Sequence, residues 1–136
     1  LITSLAKESG VRKIIKLSVS APFHCSLMKS AAETMEKAFQ GINILEPNFP
    51  IISNVSAIPE TSPQIIKNNL ILQVTKTVRW RETMASLSRL GISQIVEMGT
   101  GKVLTGLAKR GANNLSALNL ETSEDIKKWL NSEKLI

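Results

Sequence analysis

Two hydrophobic periods alternate along the chain: short Ile- and Val-rich runs that suit strands, and longer stretches whose apolar positions recur every three to four residues, as in amphipathic helices. The opening LITSLAKESG (1–10) is helix-like and ends at Gly10, and KIIKLSV (13–19) predicts a strand leading into the Pro22 turn. From Cys25 to Gln40 the residues Met28, Ala31, Ala32, Met35 and Phe39 share one helical face, with Gly41 as the stop. FPIISNV (49–55) predicts a second strand, SAIPETSP (56–63) a turn-rich connection and QIIKNNLIL (64–72) a short helix. A further helix begins near Trp80, with Trp80, Met84 and Leu87 at i, i+4 and i+7, and Gly91 ends it. SQIVEM (93–98) reads as a buried strand, GTG (99–101) as a turn, KVLTGLAKR (102–110) as a helix closed by Gly111, and LSALNL (115–120) as a strand. Thr122 and Asp125 make a capping-box pattern for a last helix with Ile126, Trp129 and Leu130 facing inward. Strands separated by helices predict an α/β fold with a largely parallel sheet.

Composition narrows the class. A chain of 136 residues fits one ordinary domain, able to bury roughly two thirds of its unfolded surface without metals or disulfides. No apolar run approaches the roughly 18 residues that a membrane span needs, so no membrane partner is expected. One cysteine can form neither an internal disulfide nor a zinc site, and no secretory signal pattern opens the chain; both favour a reducing, cytoplasmic compartment. The start at Leu1, directly in a helix-like stretch, is what a piece of a longer chain would show. The formal charge of +6 favours acidic or phosphorylated partners. Nucleic acid is not the expected one: the basic residues are scattered, and three Phe, two Trp and no Tyr leave little for base stacking.

The candidate chemistry centres on SAPFHCSLM (20–28), which holds the chain's only histidine, His24, and its only cysteine, Cys25. His24 follows a strand and a proline turn and precedes a helix, placing it at a strand's carboxyl end, where α/β proteins put ligand and catalytic groups. An imidazole there can take a proton from a hydroxyl or thiol and return it to a leaving group; the alternative is a histidine satisfied by backbone groups. Cys25 reads as a small buried hydrophobe rather than a nucleophile, because adjacent residues on a turn rarely aim their side chains at each other. GTGK (99–102) is not a phosphate loop: Val96 and Val103 stand where a glycine and a Ser/Thr are needed. Leu104 likewise replaces the third glycine of a dinucleotide fingerprint. What survives is a tight strand-to-helix turn whose backbone amides could face an anion. A G-x-S-x-G elbow is absent; GISQI (91–95) comes nearest, with Ile95 in the last place. His24 therefore has no visible nucleophile.

Four ordered blocks resemble a known family. VSAPFHCSLMKSAAE (19–33), PIISNVSA (50–57), LQVTKTVRWRETM (72–84) and VEMGTGKVLTGLAKR (96–110) are similar, in that order, to the C-terminal part of malonyl-CoA:acyl carrier protein transacylases of bacterial-type fatty acid synthesis. The resemblance implies part of an α/β-hydrolase-like acyltransferase large subdomain over residues 20–136, with residues 1–19 the end of a ferredoxin-like small subdomain. It implies ping-pong transfer: an elbow serine takes the malonyl group from malonyl-CoA, and the phosphopantetheine thiol of acyl carrier protein removes it. His24 matches the family's base, serving both half-reactions. Gln73 matches the position whose main-chain carbonyl holds the other ring nitrogen, as the third member of a triad does. Thr100 departs from the proline common in that family's GPGK turn, a change the turn is expected to accommodate.

The resemblance also locates what is missing. The nucleophilic serine, the arginine that grips the malonyl carboxylate and the oxyanion-hole glutamine belong to a family stretch absent from this sequence. The expected partners are malonyl-CoA, acyl carrier protein and an N-terminal half carrying the serine; no metal and no cofactor beyond those substrates is expected, and the chain alone is expected to be inactive. Two rival readings stay open. One is a non-catalytic remnant that binds acyl carrier protein or an anionic ligand, and the other is a truncated piece that self-associates through exposed apolar surface.

Overall fold

A computed structural model describes residues 2–15, 19–111 and 115–133. The order is helix α1 (Ile2–Glu8), a 3-10 turn (Ser26–Met28), α2 (Lys29–Phe39), strands β1 (Ile51–Ile52) and β2 (Pro59–Glu60), α3 (Pro63–Leu72), α4 (Trp80–Arg89), β3 (Gln94–Met98), α5 (Val103–Gly111), β4 (Ser116–Leu120) and α6 (Ser123–Glu133). All six predicted helices form, and the fold is α/β.

The C-terminal half is a β-α-β unit. Strands β3 and β4 run parallel in the register Gln94↔Ser116 through Met98↔Leu120, with α5 as the crossover that parallel strands require. Helix α4 packs its apolar face on this unit: Met84, Ala108 and Leu115 are buried, flanked by Trp80, Leu87, Ile95 and Ala117. The predicted i, i+4, i+7 stripe is thus the core face of α4.

Glycine, asparagine and carboxylate side chains shape the turn between β3 and α5. Gly99 and Gly101 have φ of +135° and +91°, conformations that β-carbon-bearing residues resist. Asn119, on β4, donates from Nδ2 to the carbonyls of Glu97 (3.3 Å), Gly99 (3.2 Å) and Gly101 (2.6 Å). Glu97 turns its carboxylate onto the first turn of α5, accepting from the Leu104 N–H (3.0 Å), the Thr105 N–H (2.8 Å) and the Thr105 hydroxyl (2.6 Å). These bonds, the Thr105 hydroxyl foremost, hold the Glu97 carboxyl below its ordinary value. At α6 the capping box closes both ways: Asp125 accepts from the Thr122 N–H (2.8 Å), and Thr122 Oγ1 accepts from the Asp125 N–H (3.1 Å). The Asp125 carboxyl is lowered for the same reason, chiefly by the Thr122 hydroxyl.

Four expectations are corrected. The sheet is not largely parallel: among the described residues the strands form two separate pairs, antiparallel β1–β2 and parallel β3–β4. The strand expected at 49–55 shrinks to Ile51–Ile52, and the connection expected at 56–63 contains β2. The chain bends between them, where the Ala57 N–H donates to the Ser53 carbonyl (3.0 Å) and Ala57 takes a positive φ of 56°. The strand expected at 13–19 is absent at 13–15 and 19, while 16–18 lie outside the described residues. An extended run becomes a strand only through a ladder partner, and no described residue pairs with these. Finally, Leu130 does not face inward with Ile126 and Trp129, which are half-buried; it is exposed. On α2 only Ala32 is buried, while Met28, Met35 and Phe39 are half-covered and Ala31 lies open beside the His24 site.

Candidate active site around His24

His24 is held by its own backbone and by the end of a distant helix. Its φ is +59°, in the left-handed region that few non-glycine residues adopt and that histidine tolerates better than most. The positive φ turns the chain sharply between the proline corner and the 3-10 turn that leads into α2, presenting the imidazole at the surface. Such backbone strain costs about 1–3 kcal/mol and clusters at functional positions.

The partner of the ring lies 49 residues onward. His24 Nδ1 sits 2.8 Å from the main-chain oxygen of Gln73. A carbonyl can only accept, so Nδ1 carries a proton, and in the neutral ring the lone pair lies on Nε2. Gln73 caps the C-terminus of α3, and the last carbonyls of a helix have no intrahelical donor. Helix geometry thus leaves an acceptor unpaired, and the ring nitrogen of His24 fills it. Helix α3 is fixed at its other end too, with Pro63 in its first turn and Ser62 as N-cap.

Beside this contact lies a cavity of about 400 Å³. Phe23, Met28, Ala31, Met35 and Val74 form its apolar wall, and His24, Asn54 and Gln73 are its polar members. Among the described residues none hydrogen-bonds Nε2. The arrangement can hold an apolar chain and exchange a proton at its end. Cys25, expected to be buried, is half-exposed, and its thiol donates to the Pro22 carbonyl (3.1 Å); the turn that exposes His24 also lifts its neighbour out of the packing. The anion site imagined at GTGK is occupied from within, since the α5 amides already bind Glu97. Among the described residues no three His, Cys, Asp or Glu side chains group to hold a metal, and no helix is long and apolar enough to cross a membrane.

His24 and Gln73, named as site residues from the sequence, are therefore brought into contact. Asn54 was missed. Its signal, a polar residue closing the strand-like run PIISNV, is too common to single out without the fold.

Solved structures define the class. A crystal structure of acyl-carrier-protein-S-malonyltransferase from Bartonella henselae superposes with a TM-score of 0.84 at 43% identity, over 95% of this chain and 41% of that one. A malonyl-CoA:acyl carrier protein transacylase from Xanthomonas oryzae pv. oryzae gives a TM-score of 0.85 at 37% identity, over 95% and 41%. The chain carries part of an α/β acyltransferase fold. No protein-family model matches the sequence, but curated relatives do: the malonyl CoA-acyl carrier protein transacylase of Bacillus subtilis (strain 168) is 40% identical over 126 residues, 93% of this chain and 40% of the relative. Over nearly its whole length, the chain is thus homologous to a portion of the malonyl CoA-acyl carrier protein transacylases. It spans about 40% of the length of these relatives.

Proposed function

We propose that this chain supplies the histidine side of a malonyl-transfer site, with His24 as general base and the Gln73 carbonyl fixing its tautomer. The observation that carries this is the 2.8 Å Nδ1 contact beside a largely apolar cavity. With Nδ1 protonated, Nε2 faces the reaction. It takes the hydroxyl proton as a serine attacks the thioester of malonyl-CoA, and the resulting imidazolium returns that proton to the departing CoA sulfur. In the second half-reaction Nε2 deprotonates the phosphopantetheine thiol of acyl carrier protein, whose sulfur attacks the malonyl ester. The proton then passes back to the serine oxygen as it leaves. No G-x-S-x-G elbow occurs in these 136 residues, so the serine comes from another stretch of chain.

Support for these substrates comes from the relatives' names and from a related structure. The latter shows a type II PKS acyl-carrier protein in complex with its malonyl-transacylase, 38% identical with a TM-score of 0.82 over 94% of this chain and 42% of that one. The formal charge of +6 suits an acidic carrier and the phosphates of CoA. In the same reading residues 1–19 end a ferredoxin-like subdomain, residues 20–136 continue the large subdomain, and the compartment is cytoplasmic.

The test is transfer of labelled malonyl from malonyl-CoA to acyl carrier protein, by the chain alone and with a separately expressed N-terminal half of a related transacylase. Transfer is expected only with the added half, and His24→Ala should reduce it by about 10²–10⁴-fold, the usual weight of a general base. Full activity of the substituted complex would refute the role of His24. Transfer in neither arm would favour the rival, a remnant that binds carrier or anion without turnover.

A further inference from the structure

We infer that Asn54 is a substrate-contacting residue of the His24 cavity, its carboxamide pairing with an amide of the thiol-bearing arm that enters there. The inference rests on the acyl-transfer reading for the arm's chemistry and on the structure for the residue. In the cavity Nδ1 of the imidazole is committed to the Gln73 carbonyl, and the acyl-transfer reading reserves Nε2 for the reacting sulfur or oxygen. The polar side chains left among its lining residues are the carboxamides of Asn54 and Gln73. A carboxamide offers a donor and an acceptor in one plane, the complement of a secondary amide. An apolar wall with two such groups suits an arm of methylenes interrupted by amides.

Asn54 is the better placed of the two because its backbone is pinned. The Arg79 N–H donates to the Asn54 carbonyl (2.9 Å), Arg79 Nη1 donates to the Ser56 carbonyl (3.2 Å), and the Ala57 N–H closes the turn on Ser53 (3.0 Å). Ser53 and Ala57 are both buried, with 8% and 5% of their surface exposed. Arg79 is itself steadied by Glu82 at 3.6 Å. A short side chain on so fixed a turn loses little freedom on binding, whereas the longer Gln73 side chain has more rotamers to freeze. Among the described residues Asn54's carboxamide makes no hydrogen bond, so it is free to pair with a ligand.

The experiment titrates the isotope-labelled 136-residue chain with pantetheine, N-acetylcysteamine and 2-mercaptoethyl acetate, followed by backbone amide shifts. The ester differs from N-acetylcysteamine in having oxygen in place of the amide N–H. Wild type should prefer the amide over the ester, and Asn54→Leu should weaken pantetheine by about three- to tenfold, the weight of one hydrogen bond, and abolish that preference. Asn54→Asp, which keeps size and the acceptor, should retain preference for the amide; it serves as the second variant if the leucine spectrum shows loss of fold. Equal affinity of wild type and Asn54→Leu for pantetheine, an amide preference that survives in Asn54→Leu, or no pantetheine binding by wild type would each overturn the assignment. Asn54-dependent binding in a chain that fails to complement malonyl transfer would support the assignment while refuting the acyl-transfer reading.

Discussion

Asn119 is the residue whose removal best tests how the β3–α5 turn is held. Its single NH₂ group carries two protons and reaches three carbonyls, those of Glu97, Gly99 and Gly101, at 3.3, 3.2 and 2.6 Å. Asn119→Ala removes both protons and leaves those oxygens to water or to nothing. Two hydrogen bonds at about 0.5–1.5 kcal/mol each give about 1–3 kcal/mol. The Gly99 contact is solvent-exposed and its oxygen can be rehydrated, so the expected loss is about 1–2 kcal/mol. With a urea slope of about 2 kcal/mol per molar for a chain of this size, the midpoint should fall by about 0.5–1 M at unchanged slope. Urea unfolding followed by far-ultraviolet circular dichroism reads this directly. Asn119→Asp should be worse than Ala at neutral pH, because it turns a carboxylate toward three carbonyl oxygens. A midpoint for Asn119→Ala indistinguishable from wild type would refute the reasoning, since the two glycines would then hold the turn unaided.

Because His24 is the only histidine, its ring nitrogens can be assigned without ambiguity by long-range nitrogen–proton NMR. The Nδ1–H tautomer should be enriched about two- to thirteenfold over free histidine by the Gln73 bond, the range that 0.5–1.5 kcal/mol gives, and an Nδ1–H share no higher than that of free histidine would contradict the contact. The Glu97 carboxyl is held low in the folded chain, so the unfolded chain binds the extra proton in acid. The stability this adds is fully present above the ordinary carboxyl range and is lost as pH falls through the lowered folded value. The stability gap between wild type and Glu97→Gln, followed by unfolding at stepped pH, should therefore shrink on acidification, and a gap that widened would reverse the sign. Met84 is only 3% exposed and lies against Ala108 and Leu115. Met84→Ala should cost about 2–5 kcal/mol in the same unfolding assay, and a loss below about 1 kcal/mol would mean that this core repacks freely.

Much of this was legible from local pattern. The α4 stripe of Trp80, Met84 and Leu87, the strands at 94–98 and 116–120 and the Thr122–Asp125 box are written in neighbouring residues, because helix and strand periods and caps are short-range properties. His24 stood out as the only imidazole, and its turn could be read from Pro22. The failures share one cause: they depend on what lies across space. Whether 13–19 pairs as a strand depends on a ladder partner, and the bend after Ile52 is set by a bond between Ser53 and Ala57 and by the Arg79 clamp from another element.

By itself, then, the sequence determined the helices, the β-α-β unit and the position of the lone imidazole, since each is encoded within a few turns or one pleated run. Only the tertiary structure decided what that group can do. A backbone carbonyl has no residue identity to read, so the acceptor at Gln73 came into view through likeness to a family and acquired a distance only when α3 packed its C-terminus against the His24 turn. The Glu97 carboxylate on α5 and the Asn54 amide at the cavity are of the same kind. Each is an ordinary polar residue whose surroundings folding sets: the first turn of α5 around Glu97, and the cavity wall beside His24 around Asn54.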